Sequence, residues 1–332
     1  MRLLVEFLVS LSKLALLPYF LARPLFGAKS GSLAWGLRKE MPHQREDAVA
    51  AALGKKLYAI AGFEPGPEGP VISSRAERYD PASDSWEELP PLPSPRHHAV
   101  AAGANGKLYV FGGHGDLRGA VTLNDTYAFD PRTGAWERKA DMPAPRAAGG
   151  VAMLGGKIYL IGGRTGGSIF EGNFRPPLAS VDVYDPAADT WERGPPMSVA
   201  RDHLGVEVLG GKIYAVGGRS FTMLNPLSAV EVYDPATGRW EMAPRLPIPL
   251  SGDIFAARGR LIMPGGVLGV LPISFTLEYA PGRGWKLLGL ASGGGYAHGI
   301  EEMGGVGYVL CESPNGGYVY SDLVRTIVIK KQ

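Results

Sequence analysis

The stretch Tyr79-Asp80-Pro81-Ala82-Ser83-Asp84-Ser85-Trp86 decides how the rest of the chain is read. Asp followed by Pro suits the first two places of a type I turn, because proline presets the required φ. With an aromatic before the Asp and a Trp six residues after it, the segment reads as a strand, a tight turn and a returning strand. The phrase recurs as Phe129-Asp130-Pro131 to Trp136, Tyr184-Asp185-Pro186 to Trp191 and Tyr233-Asp234-Pro235 to Trp240. A fifth copy, Tyr279-Ala280-Pro281 to Trp285, has Ala in place of Asp.

Upstream of each turn lies a short apolar run of strand length: Leu57–Ile60, Leu108–Phe111, Ile158–Ile161 and Ile213–Val216. Glycine pairs follow most of these runs, at Gly112-Gly113, Gly162-Gly163, Gly217-Gly218 and Gly265-Gly266. Such pairs suit close approach of a neighbouring backbone. Further upstream, polar or glycine turns connect each run to an inner strand that begins near Arg45, Arg96, Arg146 or Arg201. Each unit of about 50 residues therefore holds four strands. The last unit breaks off: Gly307–Leu310 and Thr326–Ile329 read as its second and third strands, and no Trp strand follows. At the other end Leu33-Ala34-Trp35-Gly36-Leu37 is a Trp strand with no unit before it. Pairing the two completes a sixth unit and removes an exposed edge.

These glycine pairs, tyrosines and tryptophans resemble the kelch repeat over roughly residues 32–332. The resemblance implies an all-β, six-bladed propeller of four-stranded antiparallel blades, closed by the N-terminal strand, with residues 31–332 as one domain. It is strong in the first four blades and weakest in the sixth.

Composition narrows the function classes. Net charge is +2 in 332 residues with 20% charged, which gives no global electrostatic case for nucleic acid. Cys311 is the single cysteine, so neither an internal disulfide nor a CxxC metal site is available. No carboxylate–histidine spacing defines a metal site, and neither a metal nor a cofactor is expected.

Residues 1–30 form an apolar leader, with Arg2, Glu6 and Lys13 the charges before Arg23. It reads either as a signal or membrane anchor, with association through residues 1–22, or as an amphipathic helix with Leu4, Phe7, Leu8 and Leu11 on one face. A misassigned start is the third reading. An exported or membrane-associated location is favoured over a cytoplasmic one.

The second-to-third loops are long, notably 164–180 and 219–229, so binding is expected on their face. Arg45, Arg96, Arg146 and Arg201 hold equivalent places at its channel mouth, and Arg164 and Arg219 open two of the loops. His98 and His203 follow two residues after their arginines, and Glu171 and Glu207 are available carboxylates. Guanidiniums around one mouth would grip a carboxylate or phosphate, though the same arginines could instead bond neighbouring loops and acids. The expected partner is thus a protein or a small anionic ligand, bound by a scaffold propeller. The resemblance also implies an alternative, a mutarotase or epimerase acting on an anionic sugar such as N-acetylneuraminate. A third group, similar to the copper radical oxidases, needs a Tyr–Cys crosslink, and Cys311 sits at a repeat glycine position inside a strand.

Overall fold

The computed structural model describes residues 33–167, 175–222, 224–269, 271–290, 299–310 and 321–329. Expectations placed on the leader, on Phe170, Glu171 and Phe174, on His298 and on Cys311 lie outside the described residues. Among the described residues no helix is long and apolar enough to cross a membrane.

Six four-stranded antiparallel sheets follow one another along the chain, each running from an inner to an outer strand. Blade one pairs Val49–Leu53, Lys56–Ile60, Ala76–Asp80 and Ser85–Leu89, and blade two pairs Val100–Ala104, Lys107–Phe111, Thr126–Asp130 and Ala135–Lys139. Blade three runs Gly150–Leu154, Lys157–Ile161, Val181–Asp185 and Thr190–Gly194, and blade four Gly205–Leu209, Lys212–Val216, Val230–Asp234 and Arg239–Met242. Blade five comprises Phe255–Ala257, Arg260–Leu268, Leu271–Ala280 and Gly284–Leu290. Blade six takes Ile300–Met303, Val306–Leu310 and Val324–Ile329 from the end of the chain and Leu33–Leu37 from its beginning. Leu33 lies opposite Ile329 and Trp35 opposite Ile327, so closure occurs where the repeat count places it. The loop between the second and third strands of blade one adds a small hairpin, Phe63–Gly66 with Gly69–Ile72.

The blades hold together through their faces. Tyr58 and Ile60 of blade one pack with Leu108 and Phe129 of blade two, and Phe111 of blade two packs with Ile158 and Tyr184 of blade three. Phe255 and Ile262 of blade five meet Ile327 and Ile329 of blade six, with Leu33 and Trp35 against them. Each such side chain contributes about 1.5–3 kcal/mol when fully buried. A single blade leaves these faces wet, which is why the copies stack. At the rim the tryptophans staple neighbours: Trp136 Nε1 donates to Pro90 O at 2.8 Å, Trp191 to Ala140 O at 2.9 Å and Trp240 to Pro195 O at 2.9 Å.

The glycine pair is an inter-blade joint. Gly217 has φ +60° and Gly218 has φ +95°, and a Cβ on Gly217 would collide with Leu250 O of the next blade. The N–H of Gly218 donates to Leu250 O of the next blade at 2.9 Å. A side chain would close the gap through which the blades bond.

A candidate binding site at the long-loop mouth of the channel

Isolated bridges pair His97 with His114, Ala147 with Arg164 and Asp202 with Arg219. They put the starts of the inner strands and the long loops on one face, as the repeat requires. The four repeat arginines start there too, but their guanidiniums turn inward. Arg45, Arg96 and Arg201 are 0% exposed and Arg146 is 2% exposed. Each pairs with an acid of its own blade: Arg45 with Glu77, Arg96 with Asp125 at 2.5 Å, Arg146 with Asp182 at 2.5 Å and Arg201 with Glu231 at 2.8 Å. Each also donates to the carbonyl of the first residue of the glycine-pair position: Ala61, Gly112, Gly162 and Gly217. Those carbonyls lie where the second strand leaves the ladder, and a buried acceptor without a partner is costly. Burial moves the Arg201 pKa down to about 10, against the opposing pull of Glu231. Of the two roles open to Arg45, Arg96, Arg146 and Arg201, ligand grip or bonding to neighbouring loops and acids, this arrangement has the second: they brace the blades from within. Blade five shows the same joint in apolar form. Leu250 stands at the arginine position and Leu277 at the acid position, both buried.

Arg164 and Arg219 are turned toward a carboxylate as well. Arg219 Nε lies 3.2 Å from Asp202 Oδ1 and Arg164 Nη1 4.0 Å from Asp202 Oδ2, while His203 Nδ1 lies 2.6 Å from Asp202 Oδ1. Burial alone would raise the Asp202 pKa, yet His203, Arg219 and Arg164 together hold it at about 2.

What faces the channel is the residue two beyond each arginine. Asp47, His98, Ala148 and His203 all adopt left-handed backbone, with φ of 53°, 52°, 51° and 50°. Non-glycine residues hold that conformation only where the surrounding structure enforces it. The enforcing contacts run from blade to blade: Ala148 N donates to His98 O and His203 N to Ala148 O, each at 2.8 Å. The side chains border a channel cavity of about 280 Å³, whose polar lining is Asp47, His98, His203, Glu207, Asp253 and Glu301. No lysine or arginine lines it among the described residues.

At the mouth, His98 Nδ1 is 3.2 Å from Asp47 Oδ2 and 2.5 Å from His97 Nδ1. The His98 and His203 rings sit 5.0 Å apart, and His97 and His114 5.2 Å apart. Burial lowers the pKa of His97, takes that of His98 well below its usual value and brings His114 to about 3, so these imidazoles are neutral at neutral pH. Deeper in the channel, one register position repeats around the ring. Ala51, Ala102, Ala152, Glu207 and Glu301 lie opposite Tyr58, Tyr109, Tyr159, Tyr214 and Tyr308, and Ala256 opposite Leu261. Two of the six positions thus carry carboxyls where the others carry alanine. Burial lifts the Glu207 pKa to about 7, although backbone donors at Val208 and Ala256 oppose it. Burial, then the charge of Glu207, lifts the Glu301 pKa well above the usual carboxylate range. Sequence reading weighed Glu207 and missed Glu301; aligning the sixth repeat on Tyr308 finds it.

Comparison with known proteins agrees with this architecture. The KLHDC2/KLHL20/DRC7 Kelch-repeats domain family matches residues 47–263. The chain belongs to the kelch-repeat family. Kelch-like protein 34 of Homo sapiens is 32% identical over 188 residues, which is 56% of this chain and 27% of that protein. Kelch-like protein 7 of Gallus gallus is 45% identical over 177 residues, 53% of this chain and 28% of that one. The aligned part is thus under a third of the length of these kelch relatives. The solved structure of YjhT superposes with a TM-score of 0.66 over 78% of this chain and 95% of its own, at 17% identity. That likeness concerns the fold.

Proposed function

We propose that this kelch propeller is a binding module that docks a protein partner on its long-loop face. The observation that carries this reading is where exposed apolar side chains fall. Val71, Leu117, Val121, Phe221 and Leu224 are 44–69% exposed and all lie on second-to-third loops. Single exposed apolar residues are ordinary, but several on one face mark a contact surface. Rigid blades present these loops in fixed relation, which limits the ordering cost of binding. Photo-crosslinking side chains placed at Leu117, Leu224 and Met242 test the reading in cells. Capture of one shared protein from Leu117 and Leu224, lost on Phe221→Asp, supports it. Capture only from Met242, on an outer strand, overturns it.

A second reading sets a small ligand in the channel, and the raised carboxyls Glu207 and Glu301 favour it. A carboxyl protonated near neutral pH in one channel with neutral imidazoles is the equipment of acid–base chemistry on a sugar. The lining offers carboxylates and imidazoles rather than guanidiniums, so a neutral sugar fits its charge better than an anionic sugar such as N-acetylneuraminate. Anomer exchange followed by NMR separates these cases: catalysed exchange that fails in Glu301→Gln supports acid–base work in the channel. Exchange unaffected by Glu301→Gln and Glu207→Gln removes it.

A further inference from the structure

The sequence spacing of histidines and carboxylates predicts no metal site, yet the fold brings three donor side chains together from adjacent blades. Asp47 comes from the lead-in to blade one and His97-His98 from the lead-in to blade two. One donor atom from each of the three lies within 4.8 Å of the others. We propose that Asp47, His97 and His98 bind one transition-metal dication, Zn²⁺ foremost, at the long-loop mouth of the channel.

The argument begins with proton placement. His97 Nε2 faces Asp116 O at 2.8 Å, and a carbonyl only accepts, so this nitrogen carries the ring hydrogen. His97 Nδ1 therefore presents its lone pair. His98 Nδ1, 2.5 Å from that lone pair and 3.2 Å from Asp47 Oδ2, supplies the proton that holds three electron-rich atoms together. A dication entering this point takes the place of the His98 Nδ1 hydrogen, which passes to Nε2 of the same ring, and takes all three as ligands. Two imidazoles and one carboxylate suit Zn²⁺ by softness and charge. Tetrahedral coordination at ~2.0–2.1 Å sets ligand atoms about 3.3 Å apart, which matches His98 Nδ1 to Asp47 Oδ2 at 3.2 Å and requires the two Nδ1 atoms to separate from 2.5 Å.

The supports expected around metal-binding histidines are in place. Phe63 packs on the His97 ring with centroids 4.1 Å apart. Asp116, whose carbonyl fixes the His97 tautomer, is itself anchored by the N–H groups of Arg118 at 2.8 Å and Ala120 at 3.3 Å. His203, held through Nδ1 by Asp202, stands beside His98 and faces the same channel. Asp47 and His98 border the cavity.

The experiment uses untagged full-length protein stripped with a chelator, titrated with ZnCl₂ by calorimetry and with CoCl₂ by visible absorption. The expected result is one ion per chain, binding with no net proton release at neutral pH, and tetrahedral cobalt bands. Asp47→Asn and His97→Ala each weaken binding at least about 10-fold, and His43→Ala, outside the mouth, leaves it unchanged. Ala148→His keeps the proposal testable if the loss variants fail to fold. Its position lies between those of His98 and His203 on successive blades, so a third imidazole there tightens binding about 10-fold. No ion bound at about 100 µM metal, or affinity indifferent to both Asp47→Asn and Ala148→His, overturns the site.

Discussion

Blades four and five are neighbours that solve one packing problem with different chemistry. In blade four Arg201 and Glu231 fill the space beneath the glycine pair as a buried ion pair. In blade five Leu250 and Leu277 fill it with hydrocarbon. The difference follows from what happens beyond the glycines. In blade four the second strand stops at Val216 and the third begins at Val230; Arg201 Nη1 then donates to Gly217 O at 3.3 Å and joins the Gly217 N–H on Ala229 O, at 2.8 Å. In blade five the two strands continue past a bulge as far as Leu268 and Leu271, so the ladder runs on where blade four opens into a loop. A guanidinium is used where a loop takes the carbonyl of the first glycine out of the ladder, and leucine suffices where the ladder continues. Charge at this position answers a backbone need rather than a ligand.

The comparison breaks most visibly in blade four. Glu231→Ala leaves the Arg201 charge buried and frees the donors of Ser198 and Val199 that Glu231 accepts, at 2.7 and 3.2 Å. Loss of one partner of a buried pair costs about 3–5 kcal/mol, read as a fall in the urea midpoint. Arg201→Leu with Glu231→Leu copies blade five and recovers only part of that loss, because Gly217 O loses the donor that Arg201 gives it. A double variant as stable as the parent would show that filling the volume is enough and that the ladder argument is wrong.

How much of this was legible follows from what a repeat encodes. Turn chemistry and strand period are local, so the six blades and the Trp35–Ile327 closure could be read directly. The direction of a side chain at the arginine position depends on its partner in the third strand, some thirty residues on. Its signal was present all the same: Glu77, Asp182 and Glu231 each lie two residues before a repeat tyrosine, and Leu277 holds that place where Leu250 replaces arginine. Reading the two columns together shows a coupled pair. Glu301 was hidden because blade six lacks both the glycine pair and the Asp-Pro turn that index the other repeats. The cluster of Asp47, His97 and His98 spans two blades and has no single-repeat signature.

The same two blades differ at the channel. Glu207 of blade four reaches the N–H of Ala256 in blade five, which occupies the equivalent register position with a methyl group. Burial raises the folded-state pKa of Glu207 from 4.5 to about 7, so the folded protein holds this proton more tightly than the unfolded chain. The stability so gained is complete below pH 4.5 and is lost as pH rises toward 7, on the order of 3 kcal/mol in all. Glu207→Gln keeps an acceptor for Ala256 and carries no charge. It should match the parent at pH 4 and exceed it at pH 8 in urea denaturation. Parallel profiles would mean that the carboxylate is solvated in the channel and that blade four gives up nothing by holding it there.

The smallest effect sharpens the comparison at the rim, where blade four differs from blade three. Tyr184 Oη donates to Asp189 Oδ1 at 2.6 Å across the outer turn, and the same place after Tyr233 in blade four is Gly238. Asp189 has a second task, accepting from Ala140 N at 2.9 Å and so tying blade three to the exit of blade two. Tyr184→Phe removes a hydrogen bond to a charged acceptor and costs about 1–2 kcal/mol, whereas Tyr233→Phe costs a few tenths. Both rings stay in place, because Trp191 and Trp240 pack on them with centroids 4.8 and 5.4 Å apart. The difference between the two variants therefore isolates the hydroxyl from the packing. Equal losses would place the hydroxyl's worth in the shared ring environment, and the rim would then be uniform where the channel and the joint are not.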